Sequence, residues 1–139
     1  MRGLAIGLGV VLMAVPPAFA DEKPEDAAPQ RVTVRLTEYR FDPARIELKT
    51  GQETELTLVN EGTVLHEFIT EGLQDVTADV IVNGVIIGAL GVAEIEIPAK
   101  ATAVLRFTPE QPGEFRVICA AEQPKSHLKE GMRATLIFQ

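Results

Sequence analysis

The chain has 139 residues, with 13 Lys and Arg against 20 Asp and Glu, and a net charge of −7 when its two histidines are neutral. That length suits one compact domain rather than two, and the acidity disfavours nucleic acid, whose binding needs a basic patch. A single cysteine excludes an internal disulfide.

The amino terminus has the pattern of an export signal, residues 1–20. Arg2 supplies the positive end, Gly3 to Val15 is an apolar run, and Ala18-Phe19-Ala20 is a small-x-small cleavage site. The run is too short to cross a membrane comfortably, and Pro16-Pro17 breaks it. No cysteine follows it to carry a lipid. Cleavage after Ala20 removes Arg2, shifts the net charge from −7 to −8 and delivers the protein to the periplasm. Such an oxidising compartment normally pairs its cysteines. The solitary Cys119 is therefore a buried bystander, an intermolecular bridge or a metal thiolate.

Residues 21–30 are acidic, proline-containing and alanine-rich, a flexible lead-in to a domain spanning 31–139. From Arg31 the pattern has period two. Val32, Val34 and Leu36 share one face, the sign of a half-buried strand. Phe41-Asp42-Pro43 turns, Ile46-Glu47-Leu48 is a short strand, and Thr50-Gly51-Gln52 turns again. Glu53 to Asn60 alternates through Leu56 and Leu58, and Leu65 to Thr70 continues after Gly62. Asp79 to Leu90 is rich in Val and Ile but interrupted by glycine; one strand, a hairpin through Asn83-Gly84 and a buried loop all fit it. Packing into the core or capping the sandwich is its expected role, with a partner or dimer contact as the alternative. Val92 to Ile97, Ala101 to Thr108, Gly113 to Cys119 and Met132 to Phe138 complete the series. Short alternating strands without helical periodicity indicate an all-β sandwich or small barrel. Val117 and Cys119 lie two apart and so share a face, which puts Cys119 at the inward end of a core strand.

Once the leader is gone, the soft metal-ligand side chains are His66, Cys119, His127 and Met132 and no others. Three of them fall in one run, Cys119-Ala-Ala-Glu-Gln-Pro-Lys-Ser-His127-Leu-Lys-Glu-Gly-Met132. A strand ending at Cys119, a loop carrying His127 and a strand starting near Met132 bring three donors to one end of a sandwich. His66 joins them from a neighbouring strand. Two imidazoles and a thiolate with a weak axial thioether describe a blue-copper electron-transfer site. Zinc takes a fourth strong ligand or an open position, and calcium and magnesium prefer oxygen. Taken singly, each residue has an ordinary structural role. Taken together in the order His, Cys, His, Met, they favour one type 1 copper per chain.

At this point the sequence resembles the cupredoxins, the small blue copper proteins of the plastocyanin and azurin type. The resemblance runs from Val32 to Phe138. It rests on Phe41-Asp42-Pro43, Leu58-Val59-Asn60, Leu65-His66-Glu67-Phe68, Gly113-Glu114-Phe115 with Cys119, and above all His127-x4-Met132 with Gly131 before the methionine. It implies a Greek-key β-sandwich of about seven or eight strands and copper on His66, Cys119, His127 and Met132. It also implies that His127 is the more exposed ligand and the port for electrons. The seven residues between Cys119 and His127 form a longer loop than in plastocyanin or azurin. Glu67 stands where the family often has Asn, and Ala120 where Ser or Thr is common. Those positions lace the ligand loops together in the family; here Glu67 can only accept a backbone N–H.

The function expected is a periplasmic one-electron carrier. The alternative is copper delivery, buffering or resistance without electron transfer. A third possibility is an interaction module with no metal in service. Enzymatic chemistry is not expected, because a second copper centre needs further histidines and no nucleophile–base motif appears. The expected partners are a cytochrome or copper enzyme, or a copper acceptor. The mature chain is expected to be a monomer with no membrane span.

Overall fold

A computed structural model describes residues 28–139 apart from residue 83; the expected export signal, residues 1–20, and most of the expected lead-in, residues 21–30, lie outside the described residues. Eleven strands follow one another among them: β1 (Gln30–Thr37), β2 (Arg40–Asp42), β3 (Arg45–Leu48), β4 (Thr54–Asn60), β5 (His66–Thr70), β6 (Thr77–Val82), β7 (Val85–Leu90), β8 (Glu94–Ile97), β9 (Thr102–Phe107), β10 (Gly113–Ile118) and β11 (Arg133–Phe138). A 3-10 turn at Glu71–Leu73 links β5 to β6, with the Thr70 hydroxyl accepting from the Gly72 amide.

Two sheets face each other. The first has the order β2-β1-β4-β9-β6-β7, the second β3-β11-β10-β5-β8. Most pairings are antiparallel, but β1 runs parallel to β4 and β3 parallel to β11. Each parallel pair forces the chain to leave its sheet and return, so strands distant in sequence become neighbours. The all-β sandwich expected from the period-two pattern is what forms. It has eleven strands rather than the seven or eight that the resemblance implies: β3 and β8 form where short strands are expected, β2 forms where a turn is expected at Phe41-Asp42-Pro43, and the Asp79–Leu90 region makes two strands.

The core sits between the sheets and follows the alternation. In β4 every second residue is buried, Leu56 and Leu58 completely. Val34 and Leu36 of β1 are equally buried, while Val32 is partly covered and packs against them. Phe68 of β5 meets Phe41 of β2 edge-on, with ring centroids 6.0 Å apart. This contact joins the two sheets beneath the end where β1, β4, β10 and the start of β5 converge. That end carries the ligand candidates.

In the segment from Asp79 to Leu90 the expected packing and the structure part. It forms the β6–β7 hairpin, with Val82 paired to Val85 across a turn that includes Gly84 at φ +77°. It reaches the core only through Val80 of β6 and Ala89 of β7, both partly buried, next to the fully packed Ala78. β7 is the edge strand of its sheet, and Val85, Ile86, Ile87 and Leu90 face solvent instead of packing inward.

Candidate metal centre

His66 opens β5 and is anchored by the turn before it. The buried Asn60, at the end of β4, donates from Nδ2 to the carbonyls of Val64 and Ile97, both at 2.8 Å. Its Oδ1 accepts the Gly62 amide at 2.9 Å. One side chain thus shapes the whole 60–66 turn and fixes where β5 begins. Glu38 holds the same turn from outside by accepting from the Thr63 amide and, at 2.9 Å, from the Thr63 hydroxyl.

Cys119 follows directly on β10. Its face is set by Val117, which is also fully buried. The long loop that follows is closed by its own hydrogen bonds. The His127 amide donates to the Ala121 carbonyl at 2.9 Å, the Glu130 amide to Ser126 at 3.1 Å, and the Met132 amide to His127 at 3.0 Å. Ser126 Oγ donates to Glu122 at 2.9 Å, and Lys125 pairs with Glu130 at 2.8 Å. Gly131 takes φ +94°, a left-handed backbone that favours glycine, and it turns the chain so that Met132 enters the interior. Met132 is completely buried.

The four candidate residues are all 0 % exposed. The Nδ1 atoms of His66 and His127 lie 3.1 Å apart, and Cys119 Sγ is 3.2 Å from His127 Nδ1 and 4.0 Å from His66 Nδ1. The three strong donor atoms all fall within 4.8 Å of one another. Met132 belongs to the same assembly through its backbone, its carbonyl accepting from the Cys119 amide at 3.4 Å.

Tautomers follow from the partners. His127 Nε2 is 2.9 Å from the Gln123 carbonyl. A carbonyl only accepts, so the proton sits on Nε2 and leaves the Nδ1 lone pair facing the cluster. Burial holds His66 below the ordinary imidazole pKa, and the neighbouring His127 adds to that, so the ring stays neutral, the form that binds metals. Burial pushes the Cys119 thiol up, against the stabilising amide of Glu67, whose N–H donates to Sγ at 3.3 Å. A metal that binds there displaces the thiol proton. Two imidazoles and a thiol turned toward one another in a dry pocket fit one soft cation with nitrogen and sulfur ligands.

Two neighbouring features matter. Ala120 N donates to Glu67 Oε2 at 3.0 Å, so Glu67 accepts the one bond the sequence left open to it and ties β5 to the ligand loop. Tyr39, in the β1–β2 turn, meets the His127 ring edge-on at 5.0 Å, and Lys125 sits 4.7 Å over the Tyr39 ring. Nothing in the sequence pattern singled out Tyr39, because a turn residue shows no periodicity. Its cover, together with the Gln123 carbonyl, overturns the expectation that His127 is the exposed ligand: both imidazoles are fully buried.

Residues 6–137 match the family described as the Cupredoxin-like domain. The chain belongs to the cupredoxin-like family. Comparison with curated protein sequences finds no match. Among solved structures, this cupredoxin is similar to auracyanin B at 19% identity and TM-score 0.56, over 82% of this chain and 92% of that one. It is also similar to the dithionite-reduced auracyanin of the photosynthetic bacterium Roseiflexus castenholzii, at 14% identity and TM-score 0.54, over 81% and 99% of the two chains. A copper nitrite reductase from Nitrosomonas europaea superposes at 13% identity and TM-score 0.60, over 86% of this chain and 52% of that enzyme. At these identities the likeness establishes the fold. In this cupredoxin the buried His, Cys, His cluster with Met132 nearby fits one type 1 copper site. No helix among the described residues is long and apolar enough to cross a membrane.

Proposed function

We propose that the mature protein, residues 21–139 after loss of the export signal, is a periplasmic one-electron carrier. It holds one type 1 copper on His66, Cys119, His127 and Met132. The observation that carries this reading is the convergence of three strong donor atoms within 4.8 Å, in a fully buried pocket.

Bound copper supplies the one-electron couple. The chain's part is to keep the donors still. His66 is set by the Asn60-bonded turn, Cys119 by the end of β10, and His127 and Met132 by a loop closed on itself. Burial excludes water as a further ligand, so gain or loss of an electron requires little movement of the donors. Hydrogen bonds beyond the ligands fix ring orientation and donor strength, and here they come from the Gln123 carbonyl and the Glu67 amide.

Burial also favours carriage over delivery. Handing copper to an acceptor requires an incoming ligand to reach the metal, and all four candidate side chains are closed off, with Tyr39 over His127. We read the chain as non-enzymatic: both histidines of the sequence are used in this centre, and a second copper centre would need more. The partner class is a redox protein such as a cytochrome or copper enzyme.

The test is to load the purified mature protein with Cu(II). The expected result is an intense visible thiolate-to-copper absorption that Cys119→Ser abolishes while the fold persists, with fast electron exchange to a cytochrome. Colourless protein with Cys119 reduced would refute the copper assignment. Slow electron exchange combined with ready Cu(I) transfer to a chelating acceptor would favour delivery.

A further inference from the structure

The two sheets have four edge strands: β2 and β7 in one, β3 and β8 in the other. Natural sheets protect such edges with short strands and charged side chains, because an open row of N–H and C=O groups pairs with other chains. Three of the four edges follow this rule. β2 has three residues and carries Arg40 and Asp42, β3 carries Arg45 and Glu47, and β8 carries Glu94 and Glu96. β7 does not. Val85-Ile86-Ile87-Gly88-Ala89-Leu90 has six residues, no charge and no proline.

Its side chains are apolar on both faces. Val85 is 61% exposed and Ile87 55% on one face, and Ile86 is 62% and Leu90 83% on the other. A docking protein that covered one face would leave the other wet, whereas a continued sheet shelters both. Together with Val82 these side chains expose on the order of 500 Å² of apolar surface, at the upper end for a soluble monomer. Two such surfaces reach the roughly 1,000 Å² that a specific interface must bury.

We propose that β7 is a dimerisation strand, pairing antiparallel with β7 of a second copy to continue the six-stranded sheet across a twofold axis. A second copy is the occupant the strand itself specifies, because under a twofold the same neutral segment meets itself and no unlike partner is needed. The hairpin sets the register. Val82 pairs with Val85 across the turn, and Val80 with Ile87, so the backbone groups of Val85, Ile87 and Ala89 point back to β6. Those of Ile86, Gly88 and Leu90 point outward. A twofold at Gly88 then sets Ile86 beside Leu90 of the second copy and Ile87 beside its Ala89, large against large and large against small, with no side chain at the axis. Each mature chain has a net charge of −8, so the dimer tightens as salt screens the repulsion between copies.

Sedimentation equilibrium on the mature protein tests this. The expected mass is that of a dimer at tens of micromolar, shifted to monomer by Ile86→Lys with the circular dichroism spectrum and melting behaviour of a folded sandwich retained. Gly88→Cys offers a second measurement that leaves the apolar surface intact. Its new Cβ meets only Asp79 Oδ1, at 3.8 Å, and cysteines paired across the axis fall within disulfide reach. Mild oxidation should give a covalent dimer from Gly88→Cys and none from the parent chain, whose Cys119 is buried. A monomeric parent protein, a dimer that survives Ile86→Lys, dissociation on adding salt, or no cross-link from Gly88→Cys would each overturn the proposal.

Discussion

Gly62 stands where three polar atoms crowd together beside the candidate centre. A Cβ there would lie 2.8 Å from both Glu38 Oε1 and His66 Nε2, and 3.1 Å from Asn60 Oδ1. Glu38 is exposed and can swing away, but His66 is buried and held by the turn that Asn60 shapes. The His66 Nε2 atom has no hydrogen-bond partner among the described residues, so this slot is the one place where the ring is not braced. Gly62→Ala should therefore cost about 1–3 kcal/mol, the range for an overpacked site, and should alter the visible absorption of the copper-loaded protein. A melting temperature and spectrum identical to the parent would show that the turn yields freely. Glu38 provides the pH dependence of the same turn. The Thr63 amide beside it holds its carboxyl at about 2, below the ordinary 4.5. A depressed carboxyl stabilises the fold above its unfolded pKa, and that contribution fades as pH falls from about 4.5 through about 2. Glu38→Gln removes this group from the titration, so the difference in stability between parent and variant should shrink across that window. A difference that stays constant down to pH 2 would contradict the assignment.

At the scale of elements, the centre depends on how β5 is tied to the loop after β10. The tie has two bonds in opposite directions: the Glu67 amide donates to Cys119 Sγ, and Ala120 donates to the Glu67 carboxylate. Replacing Glu67 by Ala breaks only the second. The expected loss is about 1 kcal/mol of stability, as for a single partly exposed hydrogen bond, with a faster loss of bound copper to a chelator. Glu67→Gln should restore most of both, since its amide oxygen still accepts. Equal copper-release rates in all three proteins would show that the loop is held by its internal bonds alone. The sequence showed half of this tie: through the family resemblance Glu67 could be read as an acceptor for a backbone N–H, but neither its donor, Ala120, nor the bond from the Glu67 amide to Cys119 Sγ could be. The meeting of His66, Cys119 and His127 was legible too, since a strand end and a returning loop lie at one end of a sandwich; Met132 joins them through its backbone bond to Cys119. The cover over His127 was not legible. It comes from Tyr39 in a turn more than eighty positions away, and a long-range contact between two irregular segments has no periodic signature. The β6–β7 hairpin was half legible: its apolar content was plain, but its place at the edge of the sheet depends on pairing with the distant β9.

For the molecule as a whole, alternation along the chain determined the sandwich because each strand can bury only one face, and two sheets must then share the core. The edge strand β2 escaped the pattern since its three residues, Arg40–Asp42, are too few to show a period. Charge acts at this same scale. The chain carries −7, and three carboxylates, Glu67, Glu94 and Glu96, have oxygens within 4.8 Å of one another on β5 and β8. Glu67 and Glu96 are direct cross-strand neighbours, and Glu67 is the residue bonded to Ala120 beside Cys119. A negative field therefore lies close to the centre, where it draws in cations and repels anions over about one Debye length. Oxidation of the reduced copper protein by a cationic cobalt complex should be fast at low salt and slow as ionic strength rises. Oxidation by ferricyanide should show the opposite slope. Glu94→Gln with Glu96→Gln should flatten the salt dependence for the cation while leaving the visible spectrum unchanged, since neither residue touches a ligand candidate. If both reagents respond to salt alike, electrons leave by a face that this field does not reach.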